Sequence, residues 1–336
     1  MTVLELGPDA IEPRLLDADE AQMLDAVMSQ SLGVRAGERV LVVTDPPRRS
    51  LGQLFARGAR RVTGNVQLLL MAEAPDHGSE PPARVAEAMA EADVCFLPTS
   101  KSLSHTHARR NASAAGARVA SMPSITYEMA MRTLRVDYAG IARTSEALAA
   151  MLSAASTVRL TAPGGTDLHL DLNGRQGFAD TGVFTAAGAF GNLPAGEAFV
   201  APLESRAHGT LVFDAALPVD DPHGDVSGAP MVIEVRDGLA RSVAGPGADD
   251  LQAVFDRLGE NARNIAELGI GTNPATRISG NVLECEKVVG TAHVALGNSL
   301  HIGGATDVPF HSDGVINRPT ILAGDTPLIE DGRLAV

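Results

Sequence analysis

The chain has 336 residues, 45% of them hydrophobic, enough for two packed cores because single cores rarely grow past about 250 residues. Its formal net charge of -14 leaves no excess of Lys and Arg for phosphates, so a nucleic-acid partner is excluded on charge. With no Trp and 3% aromatic residues an aromatic-lined sugar or single-strand platform is disfavoured, and two cysteines in apolar runs, Cys95 and Cys285, argue against a disulfide framework and for a reducing cytoplasm.

The first twenty residues carry acids where a signal peptide would carry basic and apolar blocks, and no run of about 18 apolar residues occurs, so neither secretion nor membrane spanning is expected. From about 15 to 135 the pattern alternates helices, such as 82–92, with short apolar strands at 40–44, 66–71, 94–98 and 117–122. Continuous apolar strands between helices predict an α/β domain with a parallel sheet. A helix over 138–154, with Ile141, Leu148, Met151 and Leu152 on one side, closes it, giving a first domain of 1–155. Over 156–336 short segments at 158–161, 168–172, 209–213 and 231–235, punctuated by Gly, Pro, Asn and Asp, predict a β-rich α+β domain with a helix near 249–260. Asn173-Gly174 and Asp237-Gly238 read as hairpin turns, because both residue types tolerate positive φ.

Candidate chemistry gathers in the second domain. In Phe310-His311-Ser312-Asp313-Gly314 the imidazole and carboxylate are two apart, so an extended backbone aims both at one face and at one ion. His293 lies in an otherwise small and apolar stretch, where an unpaired imidazole would cost roughly 1 to 3 kcal/mol. Glu197 and Glu267 are lodged among Gly and apolar residues, a setting that calls for a cation, a metal or a dedicated donor. Glu284 and Glu286 precede Lys287 and read more simply as a surface ion pair. Ser104-His105-Thr106-His107 reads as a loop and helix start ahead of Arg109 and Arg110. Gly164-Gly165 and Gly303-Gly304 lack the strand-to-helix setting of a nucleotide loop, and no serine-hydrolase elbow occurs.

Four motifs taken together, Asn192-Leu193-Pro194-Ala195-Gly196-Glu197, the stretch Glu-Leu-Gly-Ile-Gly-Thr-Asn-Pro from Glu267, Gly-Thr-Ala-His-Val-Ala-Leu-Gly around His293, and His-Ser-Asp-Gly from His311, resemble the aminopeptidase T-like metallopeptidases over about 160–320. The resemblance implies one or two divalent ions (Zn, Co or Mg) held by Glu197, Glu267, His293, His311 and Asp313. It also implies a homodimer and a first domain covering the site. The main expectation is therefore a cytoplasmic hydrolase of a small amide, peptide or amine-bearing substrate. There a metal lowers the pKa of bound water toward about 7, with Glu267 or Glu286 as general base. Leu300 stands near a position where those peptidases carry an active-site tyrosine, which argues against a peptide substrate. The alternative comes from related 2,5-dihydroxypyridine dioxygenases: a single Fe(II) on His311, Asp313 and one of His293 or Glu267, open to O2 and a chelating aromatic. A non-catalytic binding protein is the third reading, disfavoured by the complete ligand set.

Overall fold

A computed structural model describes residues 4–6, 11, 14–217 and 229–336. The elements run β1 (Leu4–Leu6), α1 (Ala18–Ala26), β2 (Val40–Thr44), α2 (Arg49–Arg60), β3 (Val66–Leu70), α3 (Ala83–Glu91), β4 (Val94–Leu97), α4 (His107–Ala114), β5 (Arg118–Ser121), α5 (Tyr127–Thr133) and α6 (Tyr138–Ala154). There follow β6 (Thr157–Thr161), β7 (Asp167–Asp171), β8 (Gly177–Asp180), β9 (Phe190–Asn192), β10 (Glu197–Val200), β11 (His208–Phe213), β12 (Met231–Arg236), β13 (Leu239–Ala244) and α7 (Ala248–Leu258). The chain ends with β14 (Ile265–Gly271), α8 (Val282–Cys285), β15 (Ala292–Gly297), β16 (His311–Ile316), β17 (Thr320–Ala323), β18 (Thr326–Glu330) and β19 (Arg333–Leu334). This is a mixed α/β protein, and among the described residues no helix is long and apolar enough to cross a membrane.

Two compact units divide the chain: Met1–Gly140 with Gly182–Ala195, and Ile141–Thr181 with Gly196–Val336. The division departs from a single boundary at 155. Most of α6 belongs to the second unit, with Leu148 and Leu152 in its core, and β9 returns to the first as a sheet strand.

The first unit carries a sheet in the order β1-β3-β2-β4-β5-β9, parallel except for β1. Its strands are apolar on both faces because each face has its own core. Val42, Leu68, Phe96 and Ala120 enter one cluster, and Leu41, Leu69, Cys95 and Val119 the other. Asp17 and Glu20 form a capping box that fixes the start of α1.

The second unit stacks an antiparallel sheet β16-β15-β14-β10-β8 with a larger antiparallel one, β13-β12-β11-β7-β6-β17-β18-β19. Leu268, Ile270, Val294 and Leu296 from the first meet Leu160, Leu170, Phe213 and Ile233 from the second in one core. Each such side chain contributes about 1.5 to 3 kcal/mol by leaving water. Asp237 and Gly238 both hold positive φ, 53° and 72°, and join β12 to β13 as a tight hairpin. Asn173-Gly174 makes a turn but no hairpin. The strand before it, β7, pairs with β6 and β11, whereas β8 pairs with β10 in the other sheet, so the turn is a crossing between layers.

Candidate metal centre

The motifs of the second unit are a period-two pattern with the two faces doing different jobs. In β14, Glu267, Gly269 and Gly271 alternate with the core residues Leu268 and Ile270; in β15, His293, Ala295 and Gly297 alternate with Val294 and Leu296. The register pairs Gly271 with Glu197, Gly269 with His293, and Ala295 with both Glu267 and Asp313, so all five sequence-chosen residues share the face away from the core. A bulge between Ile265 and Glu267 makes this work: Ile265 faces the core opposite Leu296, and the extra residue turns Glu267 to the other side. The glycines make room. A Cβ on Gly269 would lie 1.9 Å from Nε2 of His293, and one on Gly314, on the core side, 2.2 Å from the Phe213 ring.

The side chains converge in two groups that share Glu267: Glu197, Glu267 and His293, and Glu267, His311 and Asp313. Nε2 of His293 is 3.3 Å from Glu197 and 3.5 Å from Glu267; Nε2 of His311 is 3.5 Å from the other Glu267 oxygen and 3.3 Å from Asp313. Charge-assisted hydrogen bonds run at about 2.7–2.9 Å, so these separations are loose for ion pairs. They suit atoms that share an ion, since bonds of about 2.0–2.2 Å set neighbouring ligand atoms about 3 Å apart or slightly more. The Nδ1 of His311 donates to the Asn298 carbonyl at 2.8 Å, which fixes the tautomer and aims Nε2 at the carboxylates.

Electrostatics points the same way. Burial drives the Glu197 carboxyl up to about 8 against the pull of Lys287, and burial likewise raises Glu286. Burial opposes ionisation of Glu267 too, but hydrogen bonds from His293 and His311 win and hold it below the usual range. The same contest lowers Asp313, beside His311, and raises His311 well above its ordinary value; His293, opposed by burial but held by Glu267 and Glu197, reaches about 9. Five carboxylates, Asp180, Glu197, Glu267, Glu286 and Asp313, face one lysine and two imidazoles, so acid is in excess even with both imidazoles charged. Among the described residues, Glu197 Oε2 and His293 Nδ1 are buried without a hydrogen-bond partner. A buried acidic excess, orphaned donor atoms and mixed O/N ligands fit a divalent cation.

Lys287 is the part that sequence reading misplaced. Its ammonium is buried, 2.5 Å from Glu197, 2.7 Å from Glu286 and 3.8 Å from Asp180, so the Glu286 pair is no surface ion pair. Glu284 points elsewhere, accepting from the Arg277 amide and the Ser279 hydroxyl. Asp180, Asn298 and His301 carried no readable signal, since their roles depend on which strands are neighbours. In the first unit His107 begins α4, capped by Thr106, as the loop-and-helix reading expects.

The family model described as NicX, 2,5-dihydroxypyridine 5,6-dioxygenase, matches residues 21–336. The chain belongs to that family. Among solved structures this NicX-family chain is similar to the 2,5-dihydroxypyridine dioxygenase from Pseudomonas putida KT2440. The TM-score is 0.79 at 19% identity, over 96% of this chain and 99% of that one. It is also similar to wild-type AmpT from Thermus thermophilus, with TM-score 0.70 and 18% identity over 95% and 99% of the two chains. At such identities the likeness is one of fold, and no curated protein matches. The expected metallohydrolase is thereby corrected: the family match over nearly the whole chain is to dioxygenases, and the hydrolytic general-base role given to Glu267 or Glu286 goes with it. The retained glutamates had favoured hydrolysis, but a carboxylate-rich site binds a cation whatever chemistry follows.

Proposed function

We propose that this protein is a ring-cleaving dioxygenase that inserts both atoms of O2 across the 5,6 bond of 2,5-dihydroxypyridine or a close relative. The observation that carries the reading is the family match over residues 21–336. Glu267, His311 and Asp313 would hold a single Fe(II), being the group that contains the His-x-Asp pair and is partly open to solvent. Two carboxylates and one imidazole replace the commoner two imidazoles and one carboxylate of such sites. Ferrous iron there would supply the one-electron chemistry that lets O2 react with a closed-shell ring.

The remaining work belongs to the chain. Asn298 orients His311 through its carbonyl. Lys287 neutralises Glu197 and Glu286, keeping the charge behind the open group from repelling an anionic hydroxypyridine. The apolar layer of Leu268, Ile270, Val294 and Leu296 closes the rear of the strands to water. Anaerobic loading with Fe(II) and addition of 2,5-dihydroxypyridine in air-saturated buffer test the reading. One iron per chain and O2 consumed in equal amount to substrate are expected. No uptake with full iron loading would sink it.

A further inference from the structure

The loop from β15 to β16 is organised by one residue. Asn298 donates its amide to the Phe310 carbonyl and its side-chain NH2 to Asp307 and Val308, while its side-chain oxygen accepts from the Leu300 amide. Two imidazoles complete its set: Nδ1 of His311 meets its carbonyl, and Nδ1 of His301 meets its side-chain oxygen at 3.1 Å. An oxygen acceptor on each Nδ1 makes that nitrogen the protonated one, so Nε2 of a neutral His301 is an acceptor. The His301 ring stands edge-on to His311, centroids 5.3 Å apart and planes at 64°, within electrostatic reach of Glu267 and Asp313. It is outside both converging ligand groups. Beside it on the same turn Leu300 is 53% exposed, an apolar side chain left largely uncovered among the described residues.

We infer that His301 and Leu300 form the substrate-recognition lip of the metal centre, the imidazole accepting a hydrogen bond from the second polar group of a hydroxylated N-heterocycle whose first oxygen reaches the metal. The inference rests on the functional reading above. A fixed acceptor next to the metal group discriminates well, because a ligand lacking the matching donor leaves the imidazole desolvated and unpaired. Leu300 offers the ring face an aliphatic partner without a competing hydrogen bond. A purely structural role, in which His301 only steadies the His311 ring, would need the aromatic edge and not the acceptor nitrogen.

Zn(II)-loaded protein, which cannot turn over, separates these. Calorimetric titration under argon compares 2,5-dihydroxypyridine with 3-hydroxypyridine, which lacks the second hydroxyl. Wild type is expected to prefer the former by about 10-fold or more, and H301F to lose most of that preference while keeping its metal. H301Q, which keeps an acceptor oxygen, is expected to retain part of it, and is read in the same way if H301F does not fold. An unchanged preference in both variants overturns the assignment and leaves the functional reading standing. Loss of metal in both makes His301 a support for His311 and also overturns it. Wild type that binds neither compound, and consumes no O2 with Fe(II) and 2,5-dihydroxypyridine, overturns the functional reading itself.

Discussion

Gly269 shows how one atom decides the centre. His293 lies across the glycine, with no space for a Cβ, so Gly269→Ala must push the imidazole aside. Metal affinity is expected to fall about 10- to 100-fold, as when ligand-orienting contacts are lost, with the fold retained; equilibrium dialysis against Zn(II) reads it. Lys287→Met removes the ammonium from buried Glu286 and leaves buried Glu197 with only the looser contact to His293. Breaking a buried pair costs about 3 to 5 kcal/mol, so the urea midpoint of the metal-free protein should drop clearly, and a variant as stable as wild type would refute the ion-pair account. The histidines set a pH dependence. With His293 raised to about 9 and His311 raised as well, both are protonated near neutrality in the metal-free protein, and His311 must lose its proton to join Glu267 and Asp313 on a metal. Metal affinity should therefore rise with pH, and calorimetry in buffers of different ionisation enthalpy should show proton release. In the metal-free protein the sign reverses. Stability from a raised imidazole is fully present below the unfolded value of 6.5 and is lost as pH climbs through about 9, so thermal midpoints should decline over that window.

At the scale of elements, the bulge in β14 lets Ile265 and Glu267, two apart in sequence, take opposite faces of the strand. Deleting Ala266 makes Ile265 and Glu267 direct neighbours in an unbroken alternation, so Ile265 keeps the core face and the carboxylate keeps the metal face opposite Ala295. The deletion is expected to retain metal binding with the second unit folded, measured by metal content and circular dichroism; loss of metal in the deletion would show that the carboxylate depends on the local geometry of the bulge and not only on its face. Strand and helix positions were legible to within a residue or two where the apolar pattern was strong: β2 and α6 coincide with the segments read from sequence, and α7 with the helix near 249–260. The two turn dipeptides diverge instructively. Asp237-Gly238 and Asn173-Gly174 offer the same local chemistry, yet only the first joins adjacent strands, because pairing is chosen by which layer buries the strand's apolar residues.

For the whole molecule, the excess of buried acid predicts that metal and stability are linked. A ligand that binds only the folded state at a hundred times its dissociation constant adds about 2.7 kcal/mol, so Fe(II) or Zn(II) should raise the melting temperature and a chelator should lower it again. An unchanged melt on metal addition would argue against the centre. The sequence by itself determined the α/β and β-rich textures and the five residues that share one sheet face, because alternation of small, charged and apolar residues along a strand is a local property. It also carried the family resemblance in four short motifs, although the weight it placed on the glutamates led to hydrolysis, which the match to dioxygenases over residues 21–336 corrected. Only the tertiary structure decided that Lys287 sits beneath Glu197, that Glu267 is common to two ligand groups, and that Asn298 joins His301 to His311. Those facts depend on register between strands far apart in the chain, and register is set by the packing of two sheets, which no single segment contains.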